Sequence, residues 1–87
     1  MSQIYFDNVQ LYHFKWCPFC IKVRIAMKVM GIEVECKNIL SNPIYKAELI
    51  EGGGKKQVPC LRIQENGSVR WLYESSDIID YMKQQCN

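Results

Sequence analysis

Apolar and polar residues alternate for a few positions through Val9-Gln10-Leu11-Tyr12-His13-Phe14, as they do in a half-buried strand. After Cys17-Pro18-Phe19-Cys20 the pattern becomes helical. From Ile21 to Met30, Lys22, Arg24 and Lys28 are polar among Ile21, Val23, Ile25, Ala26, Met27, Val29 and Met30. Pro18 suits the first turn of that helix, where a missing N–H costs nothing, and Gly31 is a natural stop. Ile32 to Ile39 reads as a second strand, with Ile32, Val34 and Cys36 inward and Glu33, Glu35 and Lys37 outward. Ser41-Asn42-Pro43 can cap a short helix that runs through about Glu51 and is ended by Gly52-Gly53-Gly54. Val58 to Ile63 predicts a third strand and Val69 to Leu72 a fourth, joined by the hairpin signal Asn66-Gly67. Ser75 or Ser76 caps a last helix with Ile78, Ile79 and Met82 on its apolar face.

The order is therefore β-α-β-α-β-β-α. The first βαβ unit implies parallel strands and the hairpin an antiparallel pair. A mixed four-stranded sheet with helices on both faces follows, an α/β architecture. With 87 residues the chain has room for one domain and a modest core. Apolar residues at 48% and charged ones at 23% fit a globular protein and exclude a disordered or collagen-like chain. No apolar run is long enough to span a bilayer, so no membrane association is expected. The start, Met1-Ser2-Gln3-Ile4-Tyr5-Phe6-Asp7, lacks a basic segment followed by an apolar one, and no export signal is expected. A net charge of +2, with the lysines spread among apolar residues, argues against nucleic acid and leaves a small anionic ligand open.

Five cysteines, an odd number, argue against a disulfide framework and for a reducing, cytoplasmic setting. Cys17 and Cys20 sit between a strand and the first turn of a helix, and that placement makes a common spacing a redox hypothesis. A thiolate is the reactive form, and the unpaired amides and dipole of a helix start favour it. Cys17, just before Pro18, is expected to receive those amides; Cys20, one turn inside, is expected to be buried and to attack second. The competing readings are a metal site and inert core cysteines. Zinc would need His13, Cys36, Cys60 and Cys86 to converge from separate elements, and no metal is expected.

Two more stretches carry chemistry. Pro59 in Gln57-Val58-Pro59 marks a strand start or a special turn; a cis bond there would turn the Val58 backbone towards a peptide-like ligand. Glu74-Ser75-Ser76-Asp77-Ile78 is a good helix cap. The same amides could also hold a carboxylate while the acid holds an ammonium, as an amino acid or γ-glutamyl group would require. Cys60 is expected in the core, with a redox role as the alternative, and Cys36 and Cys86 are expected to be non-catalytic. Trp16 and Trp71 are expected as packing residues, Trp16 also being placed to shape a substrate groove.

Together Cys17-Pro18-Phe19-Cys20, Val58-Pro59 and the acidic helix start resemble the glutaredoxins, of the thioredoxin-like superfamily, over about Val9 to Lys83. Phe19 stands where glutaredoxins typically carry Tyr. Lys56-Gln57-Val58-Pro59 and Glu74-Ser75-x-Asp77-Ile78 are most similar to the N-terminal domain of the glutathione-transferase-like bacterial glutaredoxins. The chain departs from ordinary glutaredoxins at Gln57, where Thr is common, at Glu74-Ser75, where Gly-Gly is common, and at Phe14, where a basic residue is common. The helical second domain of the transferase-like group is not expected, residues 1–87 forming a single glutaredoxin domain.

The resemblance implies a thioredoxin-like fold and a glutathione-dependent thiol–disulfide oxidoreductase with Cys17 and Cys20 as catalytic residues. It implies glutathione as co-substrate, no tightly bound cofactor, and glutathionylated or disulfide-containing proteins as partners of a monomer. Phe19, Val58 and Pro59 would line the glutathione site. Glu74, Ser75, Ser76 and Asp77 would hold its γ-glutamyl end, and Lys15, Lys55 or Gln57 its other carboxylate. The alternatives are a glutathione-binding or transferase-like domain and a carrier of a glutathione-ligated iron–sulfur cluster.

Overall fold

A computed structural model of the chain describes residues 4–86. The elements are β1 (Ile4–His13), α1 (Pro18–Met30), β2 (Ile32–Asn38), α2 (Pro43–Gly53), β3 (Cys60–Glu65), β4 (Ser68–Leu72) and α3 (Ser75–Cys86). This is the expected order. The strands form one sheet in the order β2-β1-β3-β4, with β1 parallel to β2 and antiparallel to β3, and β3 antiparallel to β4.

Strand alternation divides the core in two. Val9 and Leu11 pair with Ile63 and Leu61 and turn to one face, where Val23 and Met27 of α1 and Ile78 and Met82 of α3 cover them. Tyr12 and its partner Cys60 turn to the other face and pack with Ile39 and Leu49 of α2. Helices therefore lie on both faces. Only Cys20, Val23 and Met27 of α1 are buried; Ile25 and Val29 on the same helix remain exposed.

Local chemistry sets most boundaries. Gly31 closes α1 at φ 74°, its N–H donating to the Lys28 carbonyl. The Asn42 side chain accepts from the Ile44 amide at 2.9 Å, a cap that contributes about 1 kcal/mol. Asn66 and Gly67 both have positive φ, as a tight hairpin turn demands.

β4 starts one residue early at Ser68, Ser75 is the first residue of α3 rather than its cap, and five further boundaries or faces differ from the sequence pattern. β1 begins at Ile4 rather than Val9, because Ile4–Phe6 pairs with Ile32–Val34 before a register break at Asp7–Val9. β2 ends at Asn38, one residue short of Ile39, which turns into the α2-side core. β3 begins at Cys60 rather than Val58, since Pro59 has no N–H to give the ladder. α2 continues through Gly52 and Gly53 and is capped by Gly54, because the Trp71 and Tyr73 rings lie against those two glycines and hold the turn in place. Lys37 is half-buried and Cys36 exposed, the reverse of the expected faces. β2 is an edge strand, so α1 only partly covers Cys36, while Tyr12, Tyr45 and Glu48 close over Lys37.

Candidate active site

Strand β1 ends at His13, and the chain turns through Phe14–Trp16 to place Cys17 as the residue capping α1, in extended conformation (φ −74°, ψ 119°). The Cys17 amide donates to the Phe14 carbonyl at 3.2 Å and its carbonyl accepts from Ile21 at 2.9 Å, so both sides of the residue are tied down. The thiol does not cap the helix amides as expected. It faces the Val58 carbonyl at 4.0 Å instead and accepts a hydrogen bond from the Cys20 thiol. Cys17 is 6% exposed and Cys20 fully buried. Burial, chiefly, and the hydrogen bond with Cys17 push the Cys20 thiol up to about 12.

The Val58–Pro59 peptide bond is cis. Val58 and Pro59 line a cavity of about 130 Å³ with Phe19, Gln57, Tyr73, Glu74 and Ser75. Six residues singled out in the sequence thus meet around one space, drawn from the start of α1, the approach to β3 and the start of α3. Ser76 and Asp77 are exposed on the first turn of α3 and do not line it. Lys15 does not reach it either; its ammonium lies over the Trp16 ring, 5.3 Å from the centroid.

Tyr73 was missed by sequence reasoning. Its only signals are its place directly before Glu74 and its aromatic character. Burial and the neighbouring Cys60 raise the Tyr73 phenol, which therefore stays protonated and donates to the Lys55 carbonyl at 3.4 Å. The Lys55 ammonium lies over the same ring at 5.2 Å. Trp16, expected to pack, is 76% exposed beside Cys17, whereas Trp71 packs on Tyr12 with ring centroids 5.5 Å apart.

The remaining cysteines and His13 do not converge. His13 is buried, and its Nδ1 has no partner among the described residues; burial first and Arg24 second lower its pKa, keeping it neutral. Cys60 is fully buried on the α2 face, and the side chain of Cys86 lies outside the described residues. Among the described residues no three His, Cys, Asp or Glu side chains gather as a metal site would need. Among them, too, no helix is long and apolar enough to cross a membrane.

Burial lifts Cys60, like Cys20, to about 12 from an ordinary 9.0. The unfolded chain ionises these thiols first, so their contribution to stability is whole below about pH 9 and is lost as the pH climbs towards 12. The urea midpoint is expected to fall between about pH 8 and about pH 10.5. Cys60→Ala should flatten that fall by up to about 1.4 kcal/mol per pH unit. An unchanged slope in the variant would mean that Cys60 is not held protonated by the fold.

Residues 16–85 match the family described as "Glutathione S-transferase, N-terminal domain". The chain belongs to that family. This glutathione S-transferase N-terminal domain has a thioredoxin-like fold of the glutaredoxin and transferase kind. It is 36% identical over 76 residues to prostaglandin E synthase 2 of Mus musculus, a match covering 87% of this chain and 19% of that protein. It is 31% identical over 74 residues to glutaredoxin 2 of Escherichia coli strain K12, covering 85% of this chain and 32% of that one. A delta-class glutathione transferase of Nilaparvata lugens superposes with a TM-score of 0.68 at 28% identity, covering 91% of this chain and 36% of that one. The domain thus spans between a fifth and a third of the length of these two curated relatives.

Proposed function

We propose that the chain is a single glutaredoxin domain that reduces glutathione mixed disulfides and protein disulfides at the expense of glutathione. The observation that carries this reading is the position of the Cys17 sulfur, 4.0 Å from the carbonyl of Val58, a residue lining the cavity that Phe19, Tyr73, Glu74 and Ser75 complete. At about 130 Å³ the space is well below the ~300–1,000 Å³ of sites that enclose a drug-sized ligand. A tripeptide would place its γ-glutamyl end there, near Glu74, Ser75 and the amides that open α3, with Ser76 and Asp77 at the rim. Its backbone would cross Val58 as an added strand does, bringing its sulfur to Cys17. Lys55, over the Tyr73 ring, is better placed than Lys15 for the remaining carboxylate.

In the first step the Cys17 thiolate attacks the glutathione sulfur of a mixed disulfide. The protein thiolate leaves and takes up a proton, and Cys17 is left joined to glutathione. A second glutathione thiolate attacks that bond, releasing glutathione disulfide and the Cys17 thiolate. With a protein disulfide, Cys17 forms the mixed disulfide and Cys20 displaces the protein. Two glutathione molecules then reduce the Cys17–Cys20 bond. The odd cysteine count supports action in a reducing compartment, the cytoplasm, on disulfide-containing or glutathionylated proteins.

The deciding assay offers cysteine–glutathione mixed disulfide with either glutathione or thioredoxin reductase as electron source. Turnover with glutathione alone is the expected result. Conjugation of an electrophilic aromatic compound to glutathione, without disulfide reduction, would establish the transferase-like reading instead. That second reading is favoured by the family match and by Glu74 and Ser75 in the cavity wall.

A further inference from the structure

The α2 face of the sheet holds a second cavity, of about 470 Å³, to which all four strands and α2 contribute. It is separate from the Cys17 site and shares no lining residue with it. Its size falls within the range of small-molecule sites. Strand register brings its groups together: Lys37 is opposite Tyr12, Gln10 opposite Arg62, and Arg62 opposite Trp71.

The charges around it do not cancel locally. Glu48 accepts from the Tyr12 hydroxyl at 2.8 Å and from the Lys37 ammonium at 3.2 Å, so these three groups satisfy one another. Arg62 spends one N–H on the Gln10 side chain at 2.9 Å and lies over the Trp71 ring. It makes no ion pair among the described residues, so its charge stands unpaired in the cavity wall. Glu51, also in the cavity wall, likewise has no ion-pair partner among them. Glu51 stands near the C-terminal end of α2, whose last turn carries no basic residue. The carbonyl end of a helix favours a cation, so two independent features call for positive charge at that wall.

We infer that this cavity binds an α-amino acid with a bulky side chain, its carboxylate on Arg62 and its ammonium on Glu51. A carboxylate fits the guanidinium fork in two-point fashion, and the half-buried Trp71 ring in the cavity wall supplies apolar surface for the side chain. A simple anion would satisfy Arg62 but sit against the carboxylate of Glu51. A simple cation would do the reverse. The zwitterion alone meets both.

The full chain, labelled with nitrogen-15, is titrated with L-phenylalanine, 3-phenylpropanoate and 2-phenylethylamine, which share a side chain and differ only in charged groups. The two indole N–H signals report the two sites separately, since Trp71 lines this cavity and Trp16 stands exposed beside Cys17. Phenylalanine is expected to move the Trp71 signal in a saturable way and leave Trp16 in place. Each half-ligand should bind at least about tenfold more weakly, the worth of one charge-assisted contact. Glu51→Gln, at an exposed position that does not threaten the fold, should cost phenylalanine about tenfold and leave 3-phenylpropanoate unaffected. Arg62→Gln should cost phenylalanine as much and leave 2-phenylethylamine unaffected. Equal binding of phenylalanine and 3-phenylpropanoate would overturn the inference in favour of an anion site. A Trp71 signal that stays still throughout would overturn it altogether. Neither outcome bears on disulfide reduction at Cys17.

Discussion

Cys17→Ser is expected to lower reduction of both glutathione mixed disulfides and protein disulfides by about a thousandfold or more, since it removes the attacking atom. Cys20→Ser should separate the two reactions. Cys20 is fully buried, and burial holds its thiol protonated to about 12, so it is poorly suited to meet an incoming disulfide. Its reach is limited to Cys17, with which it shares a hydrogen bond. A glutathione adduct on Cys17 can be cleared by a second glutathione from solution, and the Cys20→Ser variant should retain most of that activity. A protein adduct is bulkier and depends on attack from within, so reduction of protein disulfides should fall by about tenfold or more in the same variant. The measurement is paired kinetics on a small mixed disulfide and on a protein disulfide, with glutathione as reductant. Loss of both activities in Cys20→Ser would rule out the one-thiol route, and survival of both in Cys17→Ser would remove Cys17 from the chemistry.

What could be read from the sequence divides along a physical line. Pro18, Gly31, Asn42-Pro43 and Asn66-Gly67 act on the backbone within a few residues, and the structure uses each of them where the pattern placed it. Several cavity residues lie beside such signals: Phe19 follows Pro18, Val58 precedes Pro59, and Ser75 opens α3. Tyr73 carries no backbone signal of that kind, and it joins the cavity because β4 delivers it beside α2. Faces were harder than elements. Alternation in β2 correctly puts Cys36 and Lys37 on opposite sides, but both sides of this sheet carry helices. Which side is the drier depends on how far α1 and α2 extend over an edge strand, a distance that period-two alternation does not encode. Trp16 is the opposite case, a large aromatic whose size suggests packing but whose loop projects it into solvent next to the reactive thiol.

The glycines of α2 make the clearest test of tertiary contact overriding local preference. Alanine is a better helix former than glycine by up to about 1 kcal/mol, so Gly52→Ala and Gly53→Ala inside α2 would stabilise an isolated helix. Here the expected sign is reversed. A methyl group on Gly52 would run into the Trp71 indole, which also packs on Tyr12 and Arg62. Overpacking of that kind costs about 1–3 kcal/mol, more than the propensity gain. For a domain of this size the net loss corresponds to a melting temperature lower by about 5–10 °C. On Gly53 the methyl would meet the Tyr73 hydroxyl, the movable end of a side chain, so the stability loss should be smaller. Displacing that hydroxyl breaks its bond to the Lys55 carbonyl and shifts a wall of the cavity beside Cys17. Gly53→Ala should therefore weaken glutathione binding more than Gly52→Ala does, although it destabilises less. Gly54→Ala is the control: nothing lies near the added carbon, and only the positive φ of 85° opposes it, at about 1 kcal/mol. Thermal melts of the three variants, with glutathione affinity measured on each, check the order. If Gly52→Ala raised the melting temperature, the indole would not be seated on α2. Pairing it with Trp71→Leu should then show no coupling, whereas a seated ring predicts that the second change relieves the first.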